Sequence, residues 1–567
     1  MKKNFLRKAL SITLAAAFVA TSIPGTALIA NAAVTTNALT PKYQYDFENN
    51  LTEKSGEITA VAKAKAMAEY SGEVSYDTGR EGTGNSINLA GSYGLDLNVP
   101  NMGTAYTISL WAKPAAGLSD NTQIMFLGTN TPAEDWIGLA GNTNKALKLW
   151  TREVIDKTQN GWKIAVDNAV YTLNEWQQYI LSVDNGTASL YRNGVLLGSG
   201  SVSATSFSRE ASDLYLGVNF WPDGLFNGSI DEVKVYDTAV SAAEAKALYN
   251  GGIGITGATS ALVGDEIATE VAVTDGTEGA TVAFSSSDTT LAEVDAEGKV
   301  TCKAAGKVEI TASLMNGETV IASDSITIDI DETGDQLAAA YPNKIADFTF
   351  DDEETGFAGA GAKATAGNGA IADMLATDDD RKVLQLEKAA EEFLSVTKED
   401  GSSLLTGLTD VKISFDLKGS GWALYAAPNT DSQVWKNEYY LGALVSDTGI
   451  TIERYMAGRS PVVTGSKSAD AWVHVDIVAK EDGTILYLDG VKAGKADSAF
   501  TLAEMLGNAS VLQLGKANWN TGEYSDCSLD NFSISVRTDL TALKAAVADA
   551  KTKVEADYST ASWATFA

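Results

Sequence analysis

The stretch EWQQYILSVDNGTASLYRNGVLLGSG, residues 175 to 200, has a counterpart in AWVHVDIVAKEDGTILYLDGVKAGK, residues 471 to 495. Each reads as a strand, a glycine turn and a second strand closed by another tight turn, with apolar residues alternating along the runs. The step from Trp176 to Tyr191 equals the step from Trp472 to Tyr487. Downstream, LYLGVNFW (214 to 221) matches LQLGKANW (512 to 519), and SIDEVKVY (229 to 236) matches SLDNFSIS (528 to 535). Upstream, YQYDFENN (43 to 50) matches ADFTFDDEE (346 to 354), and TISLWAKP (107 to 114) matches KISFDLKG (412 to 419). The order is the same in both halves, so the chain carries a duplicated β-domain of about 200 residues.

Between Tyr43 and Val536 the alternation, the Gly and Asn turns and the scarcity of proline, 9 in 567 residues, mark the whole chain as antiparallel β. YDFENN, TISLWAKP, the hairpin above and FNGSIDEVKVYDTAVSAAEAKALY (226 to 249) together resemble the laminin-G-like, concanavalin A-like jelly-roll family. The resemblance covers residues 41–250 and returns over 343–537, where the Trp-x-Lys-Pro element has become FDLKG. Between them, VAFSSSDTTLAEVDAEGKVTCKAAGKVEITA (282 to 312) is similar to the bacterial immunoglobulin-like group 2 domain, which places a spacer sandwich over 253–331. After Val536 the period changes: Leu540, Leu543, Val547, Ala550 and Val554 recur at helical spacing, and DYSTASW restarts a second helix. Residues 539–567 resemble the start of a FIVAR helical module cut short, so the chain reads as a fragment of a longer protein. The expected fold is all-β: two concanavalin A-like jelly-roll sandwiches, a small immunoglobulin-like β-sandwich between them and a short helical C-terminal tail.

Residues 1–32 have Lys2, Lys3, Arg7 and Lys8 before the apolar run Ala9 to Ala20, and end in Ala30-Asn31-Ala32. That is the pattern of a cleaved bacterial signal peptide, so the product is expected to be secreted and extracellular. Cleavage leaves 38 basic against 74 acidic residues, a charge of −36, which argues against nucleic acid and anionic membranes as partners. No later run is long enough to span a bilayer. The two cysteines, Cys302 and Cys527, fall in different expected domains, so no disulfide is expected. The single histidine, His474, alternates with Trp472 and Asp476 and reads as a strand-surface residue, which removes triad and zinc chemistry. EVDAE (293 to 297) looks like the paired-carboxylate core of a glycosidase, but it falls inside the small spacer domain at a turn.

If GSIDEVKVY (228 to 236) is one regular strand, Asp231 shares a face with Val233 and Val235, and Asp530 likewise with Phe532, Ile534 and Val536. A carboxylate on an apolar face is costly without a partner, and two readings supply one. The first is structural Ca²⁺, with Asp46, Glu48 and Asp231 as ligands in one copy and Asp351, Asp352, Asp530 and, less firmly, Asp347 in the other. The resemblance implies the same, since many domains of this fold carry a calcium joining first and last strands. The second reading is that the carboxylates accept backbone N–H groups at a strand start or bulge.

Trp221 and Trp519 stand four residues after Gly217 and Gly515, in the loop before the last strand, with Asn219 and Asn518 beside them. Loop aromatics flanked by amides suit a sugar ring and its hydroxyls; the alternative is that each Trp caps its own core. Trp150, Trp435, Tyr439 and Tyr440 are further candidates for exposed rings, while Trp176 and Trp472 read as core. The expected function is non-catalytic binding of a neutral polysaccharide, as the accessory region of an extracellular glycan-degrading enzyme or adhesin. The alternative is a structural or adhesive surface protein that binds no glycan.

Overall fold

The computed structural model describes residues 39–537, apart from 129–134, 142–145, 157–158, 210–211, 275–279, 379, 429–438, 457–458, 499, 507–510 and 519–522, together with the strand Ile29–Ala32. The FIVAR-like tail and most of the expected signal peptide thus lie outside the described residues. The chain divides into two compact units, Met1–Asp331 and Glu332–Ala567.

In the first unit, eight strands form an inner sheet running from Val195–Ser201 through Gln177–Asp184, Ala105–Pro114 and Gly228–Tyr236 to Ser75–Thr78, with Tyr43–Tyr45 added beside Gly228–Tyr236. Seven more form an outer sheet in the order Gln159–Val170, Ala146–Asp156, Trp136–Gly141, Gln123–Gly128, Asp213–Leu216, Gly94–Asp96 and Val61–Lys63. The two stack because alternate residues on each are apolar: Ile108, Leu110, Leu181 and Val233 from one meet Leu127, Ile137, Leu139, Leu149 and Leu216 from the other. The hairpin that revealed the duplication turns at Asn185 (φ 46°) and Gly186 (φ 97°), then at Asn193 (φ 50°) and Gly194 (φ 74°). Positive φ at both central residues matches the twist of the flanking strands. The second copy repeats the later turn with Asp489 (φ 49°) and Gly490 (φ 76°).

A nine-residue helix, Ala242–Asn250, is capped by a reciprocal Ser241–Glu244 box and ends at the left-handed Gly251. It lies on the outside of the inner sheet, where Val240 and Ala245 pack on Ile180 and Tyr191. Beyond it, Thr281–Ser286, Gly306–Asn316 and Thr319–Asp331 form one sheet of a small sandwich, with Glu266–Ala268, Lys299–Cys302 and Ala292–Val294 opposite. Val282, Phe284, Val300, Ile310 and Ile328 fill it. The strand Ile29–Ala32, inside the expected signal peptide, pairs antiparallel with Thr281–Ser286. EVDAE forms the turn that was expected: Asp295 accepts the N–H groups of Glu297 and Lys299.

The second unit repeats the jelly roll with one change. Val411–Ala427 is a single strand of 17 residues. Its first half pairs with Val473–Lys480 and Asp526–Val536, and its second half with Tyr439–Ser446 and Val511–Leu514. Gly419 (φ 107°) and Gly421 (φ 109°) let it bend from one sheet to the other. In the first copy Pro114 ends the equivalent strand, and a loop leads to Gln123–Gly128. Cys302 and Cys527 are buried free thiols.

Candidate functional site

Asp231 and Asp530 do not lie on the apolar face. Each strand contains a bulge, where Glu232 (φ 46°) and Asn531 (φ 50°) take the left-handed conformation and one extra residue enters the ladder. The alternation therefore slips: Ile230 and Val233 face the first core, and Leu529 and Phe532 the second. Each acid caps its bulge, Asp231 Oδ1 accepting the Glu232 N–H and Asp530 Oδ1 the Asn531 N–H, both at 2.8 Å. Asp231 Oδ2 also accepts the Arg80 N–H at 3.1 Å.

In the first copy Asp46, Glu48 and Asp231 line one cavity of about 370 Å³, together with Gln44, Arg80 and Glu232. Burial, then Glu232 and Glu48, push the Asp231 carboxyl up to about 6. The Arg80 guanidinium is held by Glu232 at 2.9 Å and lies 4.4 Å from the Trp111 ring centre. The second copy does not gather its acids this way. Asp352 caps a turn by accepting the Thr355 N–H, Asp347 pairs with Lys344, and Asp530 faces Arg381 at 3.5 Å. Among the described residues no three Asp, Glu, His or Cys side chains stand close enough to hold a metal ion. The first cavity thus has suitable oxygen donors that are not gathered around one point; in each copy an arginine lies beside the bulge, Arg80 held by Glu232 in the first and Arg381 facing Asp530 in the second.

The aromatic candidates converge elsewhere, on the outward face of the outer sheet. Gln123–Gly128, Trp136–Gly141 and Ala146–Asp156 send every second residue to that face. Phe126, Trp136 and Trp150 meet there with Tyr215, and the loop after Gly217 folds Phe220 and Trp221 over them. Trp136 packs edge-on to Trp150 at 5.1 Å and tilted against Trp221 at 5.5 Å. Trp136 is buried, while Trp150 and Trp221 are each half-buried and complete the outer layer. The Lys148 ammonium lies 4.5 Å from the Trp150 ring centre. Gln123 lies over Gly138, where a Cβ would come within 2.3 Å of its Oε1. Thus Trp150 and Trp221, expected separately, share one surface.

Other expectations need correcting. Asn219 is buried and locked in its own loop, donating to Asp223 at 2.7 Å and accepting the Trp221 N–H, so it offers nothing to a ligand. Asn518 is also buried, and Tyr440, expected at the surface, is 2% exposed because it packs against Trp422 and Tyr425. Trp176 and Trp472, expected in the core, are half-buried under Lys113 and Arg381. His474 sits between Asp416 (2.7 Å) and Asp476 (3.4 Å), and their hydrogen bonds push its pKa up to about 10. Trp435 and Trp519 lie outside the described residues, as does the side chain of Tyr439. Trp136, Phe126 and Gln123 were missed; alternation with core residues was the available signal for Phe126 in MFL and Trp136 in WIGLAG, whereas Gln123 reaches the face through a bulge that alternation does not reveal.

The profile of the concanavalin A-like lectin/glucanases superfamily matches residues 84–246 and 415–542, and that of the intimin immunoglobulin-like domain matches residues 271–315. An alpha-L-arabinofuranosidase of Bifidobacterium longum subsp. longum is 28% identical over 186 residues, 30% of this chain. The chain spans 17% of that relative's length. Among solved structures, domain 4 of AbnA, a GH43 extracellular arabinanase from Geobacillus stearothermophilus in complex with arabinotriose, is 26% identical. It aligns over 38% of this chain and 100% of its own, with a TM-score of 0.32. The carbohydrate-binding module CBM66 from Bacillus subtilis is 13% identical over 30% of this chain and 95% of its own, with a TM-score of 0.20.

Proposed function

The chain belongs to the concanavalin A-like lectin/glucanases superfamily, and on that premise we propose that it is an exported, non-catalytic carbohydrate-binding protein, the accessory region of a glycan-degrading enzyme or adhesin. The observation that carries the reading is the meeting of half-buried Trp150 and Trp221 over the buried Trp136. Flat indole surface held rigid from below suits the apolar face of a sugar ring and loses little conformational freedom on binding. The named relative is an arabinofuranosidase, so arabinose-bearing polysaccharides are the first ligands to try.

Catalysis is left out of the proposal on the chemistry of the acids. Asp96 and Asp213 are hydrogen-bonded to one another, and burial and that contact hold Asp213 well above the usual carboxylate range. Two carboxyls in hydrogen-bond contact stand too close to flank a glycosidic bond, which needs about 5 Å or more between them. The alternative, a structural or adhesive protein, draws its support from the packing of Trp221 into the aromatic cluster and from Asn219 being consumed by its loop.

A structural Ca²⁺ is proposed for the first jelly roll alone. Asp46 and Glu48 have solvent-accessible side chains that can turn toward Asp231 across their shared cavity. In the second, Arg381 pairs with Asp530 at 3.5 Å and with Asp416, which stands where the first copy has Trp111.

The test of carbohydrate binding is retention in affinity electrophoresis on a panel of neutral and acidic polysaccharides that includes arabinan, arabinoxylan and polygalacturonate, with no reducing sugar released. Trp150→Ala and Trp221→Ala should each weaken retention by about 1–3 kcal/mol, borrowing the scale of base stacking on aromatics. Failure to be retained on any polymer favours the structural alternative.

A further inference from the structure

The two outer sheets match strand for strand through their registers. In the first, Tyr215, Phe126, Gly138 and Trp150 lie side by side. In the second, the same row reads Gln513, Tyr425, Gly442 and Glu453. The neighbouring pair Trp136 and Arg152 corresponds to Tyr440 and Tyr455, and Lys148 corresponds to Thr451. Gln123 covers Gly138 as Trp422 covers Gly442, each just before a bulge. An aromatic floor and a central glycine are kept; the residues around them have changed in charge.

On the first face, Lys148 donates at 2.9 Å to the neutral amide of Asn121, and no carboxylate pairs with it among the described residues. On the second, Glu453 stands where Trp150 does and accepts the Tyr440 hydroxyl at 2.6 Å, while Glu523 accepts the Trp422 indole N–H at 2.7 Å. Two amides of the second jelly roll are 4% exposed with a polar atom unpaired: the acceptor Gln513 Oε1, in the row beside Tyr425, and the donor Asn518 Nδ2, next to Ala517 of the same cluster. In the first copy the position matching Asn518 is Phe220, part of the aromatic cluster, so this amide belongs to the second jelly roll alone. Buried polar atoms are costly until paired, and a sugar hydroxyl, which donates and accepts, meets both needs.

Resting on the glycan-binding reading above, we infer that the two jelly rolls take different sugars. The first takes one bearing a carboxylate, through Lys148. The second takes an uncharged one, whose hydroxyls pair with Gln513 and Asn518 while Glu453 and Glu523 repel an acid. The net negative charge of the chain does not prevent the first, because charges beyond about 8–10 Å are screened at physiological salt and the contact charge decides.

The full chain is run in affinity electrophoresis against polygalacturonate and against linear arabinan. The unchanged protein should be retarded by both. Lys148→Met should weaken retardation by polygalacturonate about tenfold and leave arabinan unaffected; Gln513→Leu should do the reverse. Because Gln513 is buried, the more exposed Glu523→Gln provides a second reading: in the Lys148→Met background it should restore some retardation by polygalacturonate. Equal weakening on both polymers, or on neither, would overturn the inference. Retention of the unchanged protein by other polysaccharides but not by these two would also overturn it and leave glycan binding standing.

Discussion

The carboxylate of Asp231 accepts the N–H of the residue that follows it, Glu232, at 2.8 Å. A bulge opens at that step of the last strand, and Asp530 repeats the contact with Asn531 in the second jelly roll. An acid two positions from a core valine thus faces away from the core, because one extra residue has entered the ladder. Asp231→Ala and Asp530→Ala each leave a bulge N–H unpaired, at a cost of about 1–3 kcal/mol. For domains of this size that lowers the melting temperature by roughly 2–12 °C. Unchanged melting curves in both variants would show that the acids do not hold the bulges.

The calcium proposed for the first jelly roll separates the two copies experimentally. A ligand at a hundredfold over its dissociation constant adds about 2.7 kcal/mol to the native state. Chelator should therefore lower the melting transition of the first jelly roll, and Asp46→Asn with Glu48→Gln should abolish the difference. The transition of the second should not move. Equal responses of both transitions, or none, would contradict a site confined to Asp46, Glu48 and Asp231.

The His474 cluster sets a pH window for the second unit. Hydrogen bonds donated by its ring N–H groups to Asp416 and Asp476 raise the folded-state pKa of His474 from 6.5 to about 10. The stability this contributes is complete below about 6.5 and is lost as pH rises through 10. Burial pushes Asp476 up, but the hydrogen bond from His474, with Lys412 and Ser414, outweighs it and brings the carboxyl to about 2. Its contribution is complete above about 3.8 and is lost as pH falls through 2. Denaturant midpoints measured from pH 2 to pH 11 should trace this plateau, and His474→Gln should flatten the alkaline limb while the acid limb keeps a shallower slope. An alkaline limb unchanged in His474→Gln would assign it to other groups.

The duplicated hairpins, the sandwich class and the turn residues were legible because strand alternation and Asn-Gly or Asp-Gly turns are local. The bulge was legible only as one of two readings of Asp231 and Asp530, since its signal is a single residue adopting positive φ and Glu232 gives no hint of it. The aromatic face was half legible. Trp221 and Trp150 could be picked singly, but their meeting depends on the pairing of Trp136–Gly141 with Ala146–Asp156 and on the fold of the loop after Gly217. Asn219 misled because a loop amide looks the same in sequence whether it points to solvent or, as here, back to Asp223.

Binding at the outer face of the first jelly roll is read most directly from the indole N–H signals of the protein titrated with polygalacturonate in a two-dimensional NMR spectrum, each signal assigned by a Trp→Phe change. The cross-peaks of Trp150 and Trp221 should move together and saturate, while those of Trp111 and Trp176, which lie on other surfaces of the first jelly roll, stay in place. Movement confined to Trp111 and Trp176, or no movement of Trp150 and Trp221 under conditions where the polymer retains the protein, would contradict a glycan site on this face.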